Sequence, residues 1–170
     1  MKGNFDRITS NYEDLKSILP RILGNNLPSV LAKLGNVNIA GDVELTQKYI
    51  NADVTMLSQL GYLEGNLAMQ NINNIDNASY QGNIKLDAFD LGTLLNQNDI
   101  GKATLDLDVD GKGFTQKLLN TAIKGKIDQF YYNGYNYQNI TVDGSMKMPY
   151  YKGYFNSNDP NLKMDFDGTI

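Results

Sequence analysis

From Val37 to the end of the chain, apolar and polar residues alternate with a period of two, and this restricts the fold more than any other feature. Val37, Ile39, Val43 and Leu45 alternate with Asn36, Asn38, Asp42 and Glu44, and Ile50, Ala52, Val54 and Met56 with Asn51, Asp53 and Thr55. Leu63, Leu67 and Met69 follow, then Ile84, Leu86 and Ala88, then Ala103, Leu105, Leu107 and Val109. Ile123, Ile127, Ile140, Val142, Met146, Met148, Tyr151, Phe155, Leu162, Met164 and Phe166 continue the pattern. Successive side chains of a strand point to opposite faces, so each set lies on one face. The pattern predicts about ten strands, each apolar on one side.

Gly41-Asp42, Asn133-Gly134, Asp143-Gly144, Asp159-Pro160 and Asp167-Gly168 carry turn chemistry, and the one substantial break falls around residues 91–101. No helical pattern of about 10–15 residues separates the strands, which argues for an antiparallel meander over parallel βαβ units. Residues 1–35 differ from the rest and read as a helical lead-in, leaving residues 36–170 as the sheet. Ser10-Asn11-Tyr12-Glu13 fits a capping box in which Ser10 and Glu13 satisfy reciprocal backbone N–H groups. Tyr12, Leu15, Ile18, Leu19 and Ile22 then recur at helical spacing, with a kink due at Pro20 and an end at Gly24. A second short helix is expected from Pro28 to Leu34, with Gly35 at its C′ position.

The chain has neither histidine nor cysteine. Ser-His-Asp triads, imidazole metal sites, thiol chemistry and most zinc sites are thereby excluded, as is the usual neutral-pH base. A net charge of −4 with only Arg7 and Arg21 as guanidinium groups argues against nucleic acid. No run of about 20 apolar residues could cross a membrane as a helix. Met1-Lys2-Gly3 leads into polar sequence, so no secretory signal is visible.

Three polar groupings are candidates for chemistry. Asp106-Leu107-Asp108-Val109-Asp110-Gly111 resembles the start of an EF-hand loop, but Lys117 stands where a bidentate Glu is needed. Its aspartates read better as the wet face of a strand. Asp87 with Asp90, or Asp106 with Asp108, could pair for acid–base work, yet acidic residues on a wet strand face are commonplace. Tyr131-Tyr132-Asn133-Gly134-Tyr135-Asn136-Tyr137 reads as a hairpin whose tyrosines cover cross-strand neighbours, rather than as a sugar platform. The chain reads as a non-enzyme that needs no cofactor.

A one-sided sheet must cover its apolar face with a second sheet, by closing on itself, or with a ligand. Alternation alone does not choose. The inward positions are mostly Leu, Ile, Val and Met, which suits alkyl chains as well as an interdigitated core.

The run Leu27-Pro-Ser-Val-Leu-Ala-Lys-Leu-Gly35, Phe89-Asp-Leu-Gly92, and Gly101-Lys-Ala-Thr-Leu-Asp-Leu-Asp-Val-Asp-Gly-Lys-Gly-Phe114 resembles the TamB translocation and assembly module family. So do Tyr132-Asn-Gly-Tyr-Asn-Tyr-Gln-Asn-Ile140 and the stretch from Asn158-Asp159-Pro160-Asn161-Leu162 to Gly168. The family belongs to the AsmA-like bridge-like lipid transfer proteins, and the likeness is greatest to its Bacteroidetes branch. It implies a β-taco, a sheet curled lengthwise around an apolar groove. It further implies a periplasmic protein anchored in the inner membrane, of which this chain is an internal segment. The anchoring helix and a region binding a BamA/TamA-type outer-membrane barrel would lie outside it. The activity implied is movement of phospholipids between inner and outer membrane, with a link to outer-membrane protein assembly.

On this reading acyl chains lie against Val43, Leu45, Val54, Met56, Leu67, Met69, Ile84, Leu86, Leu105, Leu107, Val109, Ile123 and Ile127. The rival readings are a chaperone whose sheet edges pair with nascent outer-membrane strands, and a closed β-sandwich module.

Overall fold

The structure, a computed structural model, describes residues 2–14, 29–72, 74, 77–113, 118–147 and 149–169. It is mainly β: one open antiparallel sheet of ten strands in chain order, curled around its apolar face. The strands are β1 Lys2–Ser10, β2 Val37–Leu45, β3 Tyr49–Ser58, β4 Gly61–Gln70, β5 Ser79–Asp90, β6 Ile100–Lys112, β7 Asn120–Tyr132, β8 Tyr135–Lys147, β9 Tyr150–Asp159 and β10 Leu162–Thr169. A 3₁₀ turn, Ser29–Leu34, precedes β2, and a short helix, α1 (Leu91–Leu95), fills the break between β5 and β6. The strands form one sheet, not the two stacked sheets of a sandwich.

The sheet begins earlier than the alternation implied. Residues 2–10, read as part of a helical lead-in, form β1 and pair with β2. The register shifts between Phe5 and Ile8, so Gly3, Ile8 and Ser10 share a face although their spacing breaks the period of two. That bulge hides the strand from a periodicity reading. The helix start after β1 is also capped differently: the Asn11 Oδ1 accepts from the Asp14 N–H at 3.0 Å, while the Ser10 hydroxyl turns to the Asn11 carbonyl. The second short helix forms as a 3₁₀ turn, and Gly35 follows it with φ +65°. The rest of the helical stripe, with Pro20 and Gly24, lies outside the described residues, as does Met148.

Two expected turns are turns. Asn133 and Gly134 take φ of +48° and +86° between β7 and β8, the conformation of a tight hairpin. Asp159-Pro160 reverses the chain between β9 and β10. Gly41, Gly144 and Gly168, also read as turns, instead sit within β2, β8 and β10. They belong to the apolar face, which carries Gly41, Gly65, Gly82, Gly111, Gly125, Gly144, Gly153 and Gly168 among its larger residues. Curling crowds side chains on the concave face, and residues without a Cβ relieve that crowding.

Gly82 (φ +148°) and Gly125 (φ +147°) go further, because an added Cβ would collide with the carbonyl oxygens of Asn66 and Asp106 on the neighbouring strand. Aromatic rings bridge some of the gaps: the Tyr80 hydroxyl reaches from β5 across Gly111 to Thr121 on β7.

Replacing Gly82 with Ala is expected to cost about 2 kcal/mol or more, from a forbidden φ added to a backbone clash. A urea titration measures this; a variant with the parent's midpoint would contradict the kink.

Candidate functional site

The cross-strand register joins the apolar positions into rows that run the length of the sheet. One row reads Ile39–Met56–Leu63–Leu86–Leu105–Ile127–Ile140 from β2 to β8. The next reads Gly41–Val54–Gly65–Ile84–Leu107–Gly125–Val142–Phe155–Phe166. The third is Val43–Ala52–Leu67–Gly82–Val109–Ile123–Gly144, and the fourth Leu45–Ile50–Met69–Tyr80–Gly111–Thr121–Met146–Tyr151. No charged residue occurs in these rows.

The opposite face is the reverse. Glu64–Lys85–Asp106–Lys126 alternate in sign across four strands, and Lys124 pairs with Asp143 at 2.7 Å. Asp108 shares this face, and Asn83 donates to both Asp106 (2.8 Å) and Asp108 (3.0 Å). The carboxylates of the EF-hand-like run are therefore spread along a strand against lysines and an amide. Asp87 is exposed, whereas Asp90 caps α1, accepting from the Thr93 N–H at 2.8 Å and its hydroxyl at 2.7 Å. Those bonds hold Asp90 below the usual carboxylate range.

All thirteen residues assigned to the lining lie in these rows and none is exposed; Leu45 and Leu86 are buried and the others half-buried. The structure divides them. Leu86 belongs to a buried cluster with Leu34, Val37, Leu60 and Phe89, and Met56, Ile84 and Leu105 pack against it. That cluster is roofed by the two short helical pieces, which contribute Leu31, Leu34, Leu91 and Leu94. Lys33 clasps the pieces together, donating to the Thr93 carbonyl (2.8 Å) at the end of α1 and to the Asn96 Oδ1 (3.3 Å). The turn between β3 and β4 ties into both: Gln59 N–H donates to the Leu34 carbonyl, and Asp90 N–H to the Leu60 carbonyl. The other nine lining residues stand outside this cluster, and Leu107, Val109, Ile123 and Ile127 form its continuation along β6 and β7.

Periodicity missed Phe89, which is 1% exposed. The alternation placed Ala88 inward, but β5 shifts register between Leu86 and Phe89. Ala88 takes φ +46° and is exposed, and the extra residue brings Phe89 to the apolar side. The roof was legible in part, since Asp90-Leu91-Gly92-Thr93 is a helix start and Asn96 an acceptable αL stop.

The tyrosine run forms the expected hairpin. Phe130 stacks with Tyr132 at 6.3 Å, and Tyr135 meets Tyr137 edge-on at 4.8 Å. Its β8 arm leaves β9 beyond Ile140, where Asn139 takes φ +54°. A single carboxylate takes over from the interrupted ladder: fully buried Asp159 accepts from the Tyr135 hydroxyl (2.9 Å), the Gln138 N–H (2.8 Å) and the Asn161 N–H (2.8 Å). Burial pushes its proton affinity up, but these donors outweigh burial and hold the carboxyl below its ordinary range.

The folded state thus binds the Asp159 proton more weakly than the unfolded chain. Its contribution is complete above the unfolded value, near pH 4, and is lost as pH falls through the folded one. The tyrosine near-UV circular dichroism of the hairpin should therefore collapse on acidification below about pH 4. Asp159→Asn should weaken the signal at neutral pH and flatten that acid dependence; an unchanged acid limb would remove Asp159 as its source. Among known proteins, no family profile, no curated sequence and no solved structure matches this chain.

Proposed function

We propose that this chain is a segment of a lipid conduit, in which phospholipid acyl chains lie against the apolar face while their headgroups stay in water. The observation that carries the reading is the set of uncharged rows running from β2 to β10 on one side of a single open sheet. Ten strands at about 4.8 Å spacing extend such a face for about 45 Å. Burial of alkyl surface stabilises by about 0.8 kcal/mol per CH₂ without regard to direction. A lining of Leu, Ile, Val and Met repeated strand after strand therefore holds a chain evenly and offers no single deep well. Movement along it requires no catalytic group.

The resemblance to the TamB family supports the setting: a periplasmic protein moving phospholipids between inner and outer membrane. A BamA/TamA-type barrel would be engaged through regions outside these residues. The conduit is placed on the part of the face beyond the helical roof. Leu107 is thus a better reporter than Leu86, which is 6% exposed beneath that roof.

A photoreactive side chain at Leu107 should capture phospholipid in cells, while one at neighbouring Asp106, on the polar face, should not. Equal adducts at both positions, or none at either, would count against the conduit; adducts to nascent barrel protein would favour the chaperone reading. In the full-length protein, Leu107→Asp should obstruct the face and reduce lipid flux severalfold, since a charge in an apolar lining is costly to desolvate. Normal flux in that variant would refute the assignment of Leu107 to the lining.

A further inference from the structure

The two rims of the curled sheet, where its strands end, differ in kind. At one rim the 3₁₀ turn Ser29–Leu34 and α1 roof the apolar face, and Lys33 is engaged in the clasp between them. At the opposite rim lie the turn between β2 and β3 and the last residues of β6 and β8. That rim carries Lys48 in the turn, Lys112 closing β6 and Lys147 closing β8, all exposed.

Lys112 and Lys147 form a pair. Both stand opposite Asn120, the first residue of β7, so one exposed amide lies between two lysines about 10 Å apart, two strand spacings. Their other cross-strand neighbours, Ser79 and Tyr150, carry no charge. The ion pairs among the described residues are Lys2–Glu44 and Lys124–Asp143; Asp110, two residues before Lys112 on the same face, makes none with it.

The residues behind the pair follow the order of groups in a phospholipid. Immediately inside the rim, Tyr80 and Thr121 bring hydroxyls to the apolar face, hydrogen-bonded to each other. Beyond them β6 presents Val109 and Leu107, and then Leu105, which packs against the roofed cluster. Lys112 and Leu107 are five residues apart, about 17 Å along an extended strand. An acyl chain, half of a roughly 30 Å hydrocarbon core, spans about 15 Å. The stretch between the lysines and the roof thus matches one chain laid along the strand with its phosphate at the rim. The reverse orientation would set the phosphate against Leu31 and Leu94 of the roof, where a charge loses its hydration.

We propose that Lys112 and Lys147 form a headgroup site for anionic phospholipid, holding the phosphate over Asn120 and directing the acyl chains toward the roof. The assignment rests on the conduit reading and adds to it an orientation and a headgroup preference. Lysine ammonium groups meet phosphate as point charges without a fixed fork, so the site favours negative charge without gripping one headgroup geometry.

The test uses the purified full chain with a photoreactive side chain at Leu107. It is irradiated with vesicles of equal parts phosphatidylglycerol and phosphatidylcholine, and the adducts are weighed by mass spectrometry. Phosphatidylglycerol adducts should exceed phosphatidylcholine adducts about fivefold at low salt and approach equality in about 1 M NaCl. The net charge of −4 opposes such a preference, so its source must be local. Lys112→Gln/Lys147→Gln should abolish the preference and leave total adduct unchanged. Lys102→Gln/Lys163→Gln, at the roofed rim, should retain it. Equal capture of both lipids by the parent, a preference that survives Lys112→Gln/Lys147→Gln, or one lost equally in both double variants would overturn the headgroup site and leave the conduit standing. A parent that captures neither lipid would remove the conduit itself, and the site with it.

Discussion

The curl of the sheet depends on removing side chains from one face. Rows of Leu, Ile and Val cannot converge on the inside of a bend without collision, and the glycines distributed among them open the needed space. Their positions form a checkerboard of small and large. Gly41 follows the row of Val54 while Val43 fills the next row on the same strand, and on β5 the order is inverted, with Gly82 beside Ile84. Every strand from β4 to β10 carries at least one residue of this kind on the concave side. The apolar lining, the roof over one end and the polar outer surface all presuppose that bend.

Two further devices adjust what the bend delivers. Register shifts in β1 and β5 change which residues face inward, and the second brings Phe89 beneath the roof. Asp159 acts where hydrogen bonding between strands stops, supplying a carboxylate to the donors that β8 leaves unpaired as it departs from β9. Both convert an irregularity of the ladder into a local anchor, although the Ser157 hydroxyl on β9 stays buried without a hydrogen-bond partner.

Much of the architecture was legible in the alternation: fold class, strand order and the face on which the thirteen lining residues stand. What escaped it has specific causes. A bulge removes the signal by which a strand is recognised, which is why Lys2–Ser10 read as lead-in and Ala88 as inward. Glycine before or after aspartate means a turn when it ends an alternating run, and a kink when it occupies an apolar position inside one. Gly41, Gly144 and Gly168 occupy apolar positions, so their parity held the information that their composition obscured. The division of the lining between a roofed core and an unroofed stretch depends on where Ser29–Leu34 and Leu91–Leu95 come to rest, and no local pattern encodes that meeting.

Each strand from β2 to β9 pairs with the strand before it and the strand after it in sequence. Contacts are consequently confined to neighbouring strands despite the size of the sheet, which limits the loop-closure entropy opposing each step of assembly. Such a sheet can grow one hairpin at a time as the chain emerges, each new strand templated by the last. Its stability then resembles that of a linear array, a sum over neighbouring pairs with no single central nucleus. Length becomes an evolutionary variable: inserting or deleting two adjacent strands changes the span while preserving the direction of everything downstream.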